Sequence, residues 1–413
     1  MSNLSFNKLY EWSLGLMVFL MIVTPSLIGI GILLFFAISA LGIVKKYLKF
    51  HLNKLGVLFI LLYLSYFVGS FYTNNTDIAN KYLEYKLTFL LIPFLFSLKS
   101  KDLITIRIPS SILIVGVLLV TVLGFFNGIS LFMESNNINF LFSSQFSYIH
   151  HPTYLSVFAI FASALLIYGH QQQWKGYSLL NVYLGFIVFL LVQVFCLSLA
   201  GILFSLGYVF VIGLLWSRKK LSQKLFYSFV LCGLISIIAL VKYTPDVNAQ
   251  FINSVNYLTE YWDDPEEFFR SKQTNVGGSE TRLIMWAASC QVFVEHPFGV
   301  GTGNVDDFLS DKLNEIGQPH MAAKNLNPHN QFLQTAVEVG VFGLALLIFL
   351  AIYGTYVSIQ TKNWLLLFVI ISLAFNCLFE SMLQRQSGIV FYTFWICLLP
   401  ICFPEITKTA KVS

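Results

Sequence analysis

Asn327-Pro328-His329-Asn330-Gln331 stands directly before a long apolar run. An imidazole exchanges protons near neutral pH, so a His at the mouth of a helix is a candidate acid or base. Beyond it, Asn330, Gln334 and Glu338 recur every four residues and share one helical face. Eight residues of helix carry Glu338 about 12 Å below Asn330. At that depth in a membrane an ionisable group faces a cavity or a partner rather than lipid. The spacing predicts the wall of a water-accessible site descending from His329. The plainer alternative is an interfacial His bonded to lipid or backbone, since Pro at a helix start is structurally ordinary.

The elements that position these groups follow from composition. Of 413 residues, 57% are hydrophobic and only 11% charged, and mean hydropathy is +0.74. A soluble domain carries about 25% charge. This chain cannot cover a soluble surface of its size, so it reads as all-α, a polytopic membrane bundle. A secreted disulfide scaffold, a disordered chain and a nucleic-acid binder are excluded. The net charge of +5 follows membrane sidedness and not a nucleic-acid partner. The six cysteines lie mostly in apolar runs and show no metal or disulfide spacing.

Apolar runs predict about twelve spans, at 10–24, 27–44, 54–72, 84–98, 104–129, 152–169, 177–196, 199–216, 224–241, 331–357, 363–380 and 386–403. Thr24-Pro25 divides the first pair, and Leu199-Ala200-Gly201 marks a break that one long helix could bridge. No charged leader with a cleavage site precedes the first span. Sixteen of the 25 basic residues fall on one side, including Lys45, Lys46, Lys49, Lys99, Arg107, Arg218 and Lys362. The positive-inside rule makes that side cytoplasmic, with both termini on it. The chain then divides into nine spans (1–241), a periplasmic loop (242–330) and three spans with a cytoplasmic tail (331–413). No inverted internal repeat is visible.

A loop as long as 242–330 is usually functional. Its middle reads as a helix over 280–295, capped by Ser279, with Leu283, Trp286, Ala287 and Cys290 on its apolar side. Such a helix would lie at the bilayer surface. Gly299-Val-Gly-Thr-Gly303 lacks the strand and spacing of a nucleotide fingerprint and reads as a tight turn.

Pro328-His329-Asn330 followed by Glu338-Val-Gly340-Val-Phe-Gly343-Leu resembles the signature of the O-antigen ligase and polymerase superfamily. Gly278-Ser-Glu-Thr-Arg282-Leu-Ile-Met-Trp286 with Glu295-His-Pro-Phe-Gly299-Val-Gly301 resembles its outer-loop motif. Tyr148-Ile-His-His151-Pro-Thr-Tyr154 and Glu380-Ser-Met-Leu-Gln-Arg385-Gln-Ser-Gly388 resemble two further family segments. The resemblance implies a GT-C-like bundle in the bacterial inner membrane. It implies transfer of a glycan from an undecaprenyl-diphosphate carrier, on the periplasmic side, to a lipid A–core sugar hydroxyl or to another lipid-linked repeat unit. It implies no cofactor, metal or nucleotide. Two family arginines are absent: Ser198-Leu199 stands where many relatives have Ser-Arg, and Asp246–Gln250 holds no Arg.

On that resemblance His329 is the candidate base and Arg282 the cation for the leaving diphosphate, with Lys242, Lys81 or Arg385 as substitutes for the missing arginines. Arg282 could instead only touch lipid phosphate. Glu338 and Glu380 could orient His329 or Arg282, or pair with Arg385. Asn330, Gln334, Trp286 and His151 complete the expected substrate-binding set, although His151 could simply start a helix. Trp286 and Leu283 would form an amphipathic gate beside the polyprenyl tail. No His pair stands at zinc-ligand spacing. A transporter is the reading from another class, and would show broken helices at mid-membrane; an inactive assembly protein is another.

Overall fold

The structure is a computed structural model that describes residues 3–100, 105–220, 245–272 and 278–403. The expected span 224–241 and Lys242 lie outside the described residues, as do Lys101, Lys224, Lys408 and Lys411.

Ten of the twelve expected runs are apolar helices. Helices α1 (Asn3–Val23) and α2 (Ile28–Val44) are divided at Thr24-Pro25 as expected. α3 (Lys54–Gly69) follows. The run 84–98 requires a correction. It divides at Leu87 into α4 (Thr76–Lys86) and α5 (Thr88–Phe96). Nine residues of α5 rise only about 14 Å and cannot cross a core of about 30 Å. α4 is largely polar, and its Lys86 is buried.

α6 (Arg107–Ser135), α7 (Pro152–Gln171), α8 (Leu179–Cys196) and α9 (Leu199–Lys220) continue the bundle. The break before Leu199 is real. Leu197 takes a left-handed φ of 49°, and Ser198 Oγ accepts the Gly201 N–H at 3.2 Å. The last three helices are α14 (Gln331–Gln360), α15 (Trp364–Cys377) and α16 (Gln386–Cys402). α16 is buried throughout from Gly388 to Leu399. It packs on the buried α7 through Phe158–Phe391 and Phe161–Trp395 ring contacts.

The basic loops converge on one end. Leu48–Phe50 pairs with Leu98–Ser100 in an antiparallel ribbon that the apolar pattern did not foretell. Asn53 Nδ2 donates to the Cys397 carbonyl at 2.8 Å, and Asn363 Nδ2 to Leu399 at 3.2 Å. Arg107 reaches the Lys175 carbonyl.

At the other end the outer segment folds into helices α10 (Pro245–Asp263), α11 (Pro265–Ser271), α12 (Gly278–Glu295) and α13 (Val305–Glu315). Phe268, Phe269, Ile284, Met285, Ala288, Val292, Leu309 and Leu313 give it a core of its own. This corrects the face assigned to α12. The helix is present, but Ile284, Met285, Ala288 and Val292 are its buried side, while Cys290 is exposed and Leu283 only half-buried. Neighbouring helices cover it, so it is not a helix lying free on the bilayer.

α14 is broken. Val339 and Gly340 leave the helix, and Gly340 has a φ of 71°. The glycine run lies along this break and is more than a turn. Val300 N–H donates to Val337 at 2.8 Å, Gly301 N–H to Glu338 at 3.1 Å, and Val341 N–H to Pro297 at 2.9 Å. The freed backbone groups are thus satisfied by buried protein, the condition for irregular backbone at membrane depth. A broken helix was the expected mark of a transporter; here a loop fills the break. Gly340→Ala would place a Cβ 2.3 Å from the Phe298 backbone. We expect it to lower the unfolding free energy in detergent by about 2 kcal/mol or more. Gly29→Ala, whose Cβ meets nothing within 4 Å, should change it little.

Candidate functional site

Four elements meet at the outer end: the loop before α7, α12, the loop before α14, and the turn between α15 and α16. His329 sits at a left-handed φ of 47°. The Asn327 side chain holds that turn by accepting the His329 N–H at 2.9 Å. Trp286, on α12, donates its indole N–H to the Pro328 carbonyl at 2.9 Å. Two side chains therefore clamp the residues just before the imidazole.

His329 Nδ1 lies 3.3 Å from Glu380 Oε1 and 3.4 Å from Oε2. Burial by itself would raise the Glu380 carboxyl; the His329 hydrogen bond and charge, the His151 charge and the Ser381 N–H outweigh it and hold the carboxyl below 4.5. An ionised carboxylate only accepts, so Nδ1 carries the hydrogen, and in the neutral imidazole the lone pair is then on Nε2. The His329 side chain is 31% exposed and the Glu380 side chain 12%. This imidazole can take a proton from a group arriving from outside.

His151 lies beside the pair. Burial lowers its pKa, Glu380 opposes that, and Arg385, His329 and Arg282 add to the lowering. One imidazole thus senses all four charged groups. Its Nδ1 is buried without a hydrogen-bond partner. Arg282 is half-buried on α12, and Arg385 is exposed at the start of α16. Among the described residues neither guanidinium forms an ion pair, which leaves both open to an anion. Lys81 is exposed on α4 with no such link to the site. Tyr154 braces the turn from below, its hydroxyl donating toward the Ser381 and Met382 carbonyls at 3.4 Å.

The polar stripe on α14 is not the wall of a water-filled space. Asn330, Gln334 and Glu338 are 8%, 3% and 0% exposed. Asn330 Oδ1 caps the helix by accepting the Phe332 and Leu333 N–H groups. Gln334 Oε1 has no hydrogen-bond partner among the described residues. Glu338 lies 3.6 Å from Lys86 Nζ, and its Oε2 accepts from Gln384 Nε2 at 2.9 Å. The expected partner at depth therefore exists. It is Lys86, 252 positions earlier in the chain. Gln331 was also missed: its Oε1 accepts the Leu383 N–H at 2.6 Å.

His150 is structural. Its Nδ1 meets Ser387 Oγ at 2.9 Å and its Nε2 the Ile22 carbonyl at 2.7 Å. Burial pushes its pKa from 6.5 down to about 4, against the Ile22 hydrogen bond. The unfolded chain therefore takes up this proton at a higher pH than the folded one, and stability falls as pH drops from 6.5 to about 4. The loss is on the order of 3 kcal/mol. Melting curves in detergent should show His150→Gln less stable at pH 7 but flatter across that window. An unchanged pH slope would contradict the assignment.

Residues 184–348, from within α8 to within α14, match the family described as O-Antigen ligase. That stretch holds Arg282, Trp286, His329, Asn330, Gln334 and Glu338. An O-antigen polymerase from Salmonella muenchen is 25% identical over 249 residues, covering 57% of this chain and 55% of that protein. The match thus spans about half the length of that relative. Over these stretches the chain is similar to the O-antigen ligase family and to an O-antigen polymerase, and the apolar helical bundle already described is that of a membrane protein.

Proposed function

We propose that this protein is a membrane glycosyltransferase that moves a glycan from an undecaprenyl-diphosphate carrier onto a sugar hydroxyl. The observation that carries the reading is the His329–Glu380 pair next to His151, whose imidazole senses Arg282 and Arg385, neither of them ion-paired among the described residues. His329 Nε2 takes the hydroxyl proton as the acceptor oxygen attacks the anomeric carbon. The bond from that carbon to the phosphate oxygen breaks, and its electron pair leaves on the diphosphate. Arg282 and Arg385 hold the developing charge. The step balances with these groups alone.

Positive charge at the opposite end orients the chain, with both termini in the cytoplasm and the site in the periplasm, in the inner membrane. The described part of the 242–330 segment serves as the periplasmic cap on the membrane bundle, and membrane lipids surround the rest. The acceptor is a lipid A–core sugar, as the description of the matched family suggests. The similar Salmonella muenchen protein, named a polymerase, favours a second reading in which the acceptor is another lipid-linked unit.

A deletion strain carrying wild type, His329→Ala or Arg282→Ala tests this. Surface polysaccharide is run on gels, and carrier-linked glycan is assayed in membranes. Long glycan held on the carrier and missing from lipid A–core supports the ligase. Single units held on the carrier, with one unit still reaching the core, support the polymerase. If neither changes while the variants are made normally, the transferase reading fails.

Trp286 separates two ideas about α12. If it gates a lipid tail, Trp286→Phe keeps its bulk and its effect. If it clamps Pro328, losing the indole N–H should cost about tenfold in transfer. Turnover by Trp286→Phe equal to wild type would remove the clamp.

A further inference from the structure

The Lys86–Glu338 ion pair lies well inside the bundle, while Glu380 and Arg385 stand in the outer turn between α15 and α16. Gln384 joins the two. Lys86 Nζ donates to Gln384 Oε1 at 2.9 Å, and Gln384 Nε2 donates to Glu338 Oε2 at 2.9 Å. Lys86 is 1% exposed and Glu338 is fully buried. The ammonium also lies 4.4 Å from the Tyr66 ring centroid and 4.9 Å from that of Tyr82, so it is held on several sides. Glu338 is the last residue before the break in α14, where Gly299–Gly301 pin the backbone. The anchor point is therefore rigid.

Gln384 immediately precedes Arg385, and Glu380 is four residues back in the same turn. The turn's other ties are the buried Met382 and Leu383 side chains, the Glu380 N–H bond to the Asn376 carbonyl, the Gln331 bond to Leu383 and the long contacts from the Tyr154 hydroxyl; among its polar side chains Gln384 alone reaches the buried ion pair. A shift of the Gln384 side chain would move Glu380 against His329.

We propose that Lys86, Glu338 and Gln384 form a buried anchor that fixes the 380–385 turn, and that they act as positioning residues for the transfer step. This rests on the transferase reading above and takes Glu338 out of direct substrate contact. Glu338 is fully buried, with Oε2 bonded to the Gln384 amide and Oε1 facing the ammonium at 3.6 Å. The competing view is that the ion pair only stabilises the bundle.

Three variants separate the two views. Gln384→Leu leaves the ion pair in place. K86Q/E338Q is neutral and keeps hydrogen-bonding groups for Gln384. K86M/E338L is neutral and packed but offers Gln384 nothing. Purified full-length protein is assayed for kcat and KM with undecaprenyl-diphosphate-linked glycan extracted from the deletion strain, and melting is followed in parallel. We expect Gln384→Leu and K86M/E338L to lose about 100-fold in kcat with KM within about threefold, while K86Q/E338Q stays near wild type. Melting temperatures should not follow that order. Wild-type kcat in Gln384→Leu, or equal kcat in the two double variants, would overturn the anchor. If His329→Ala, run alongside, is as active as wild type, the transferase reading falls and the anchor falls with it. If His329→Ala is inactive and Gln384→Leu is not, the anchor alone is wrong.

Discussion

His329→Ala should lower the transfer rate by about 10²–10⁴-fold, the usual contribution of a positioned base. The protein should be made and melt as wild type does. The side chain is about a third exposed, its only side-chain partner among the described residues is Glu380, and the turn beneath it is held by Asn327 and Trp286 through backbone groups. Glu380→Gln should also be impaired. A neutral amide can donate to Nδ1 as well as accept from it, so the tautomer with a free Nε2 lone pair is no longer enforced. Membrane levels, melting temperature and transfer rate, measured together, check both. A large drop in melting temperature for His329→Ala would make it a structural residue.

Lys86→Met should have the largest effect on stability. It leaves Glu338 buried with no cation, and breaking one side of such a pair costs about 3–5 kcal/mol. K86M/E338L should recover most of that loss, because a neutral, packed pair carries no desolvation penalty. Unfolding in mixed micelles measures both. Lys86→Met within about 1 kcal/mol of wild type would mean that water or another group compensates Glu338.

Much of the bundle is legible because apolar run length is a local property. Thr24-Pro25 divides α1 from α2, and the doubtful break before Leu199 is present. The 84–98 run misleads because α5 is apolar enough for a span but too short, and the inward turn of Lys86 is set by Glu338, 252 positions away. The break in α14 is hidden for a similar reason. A glycine in an apolar helix is tolerated, and only Pro297–Gly301, about 40 residues earlier, makes the break stable. The motif residues His329, Arg282 and Arg385 stand out by type, and the structure brings Glu380 to His329 as one of the expected pairings. The stripe of Asn330, Gln334 and Glu338 shares a face as helical spacing requires. Its members nevertheless do three different things, because spacing does not say what lies opposite.

Chemical rescue tests the central claim most directly. His329→Gly fits the left-handed backbone at that position and opens a space where the imidazole stood. Purified His329→Gly protein is given carrier-linked glycan and acceptor, with and without free imidazole. We expect near-complete loss of transfer, at least about tenfold restored by imidazole as its neutral form rises with pH, and no rescue of a His150→Gly control. Transfer by His329→Gly at the wild-type rate without imidazole would contradict it.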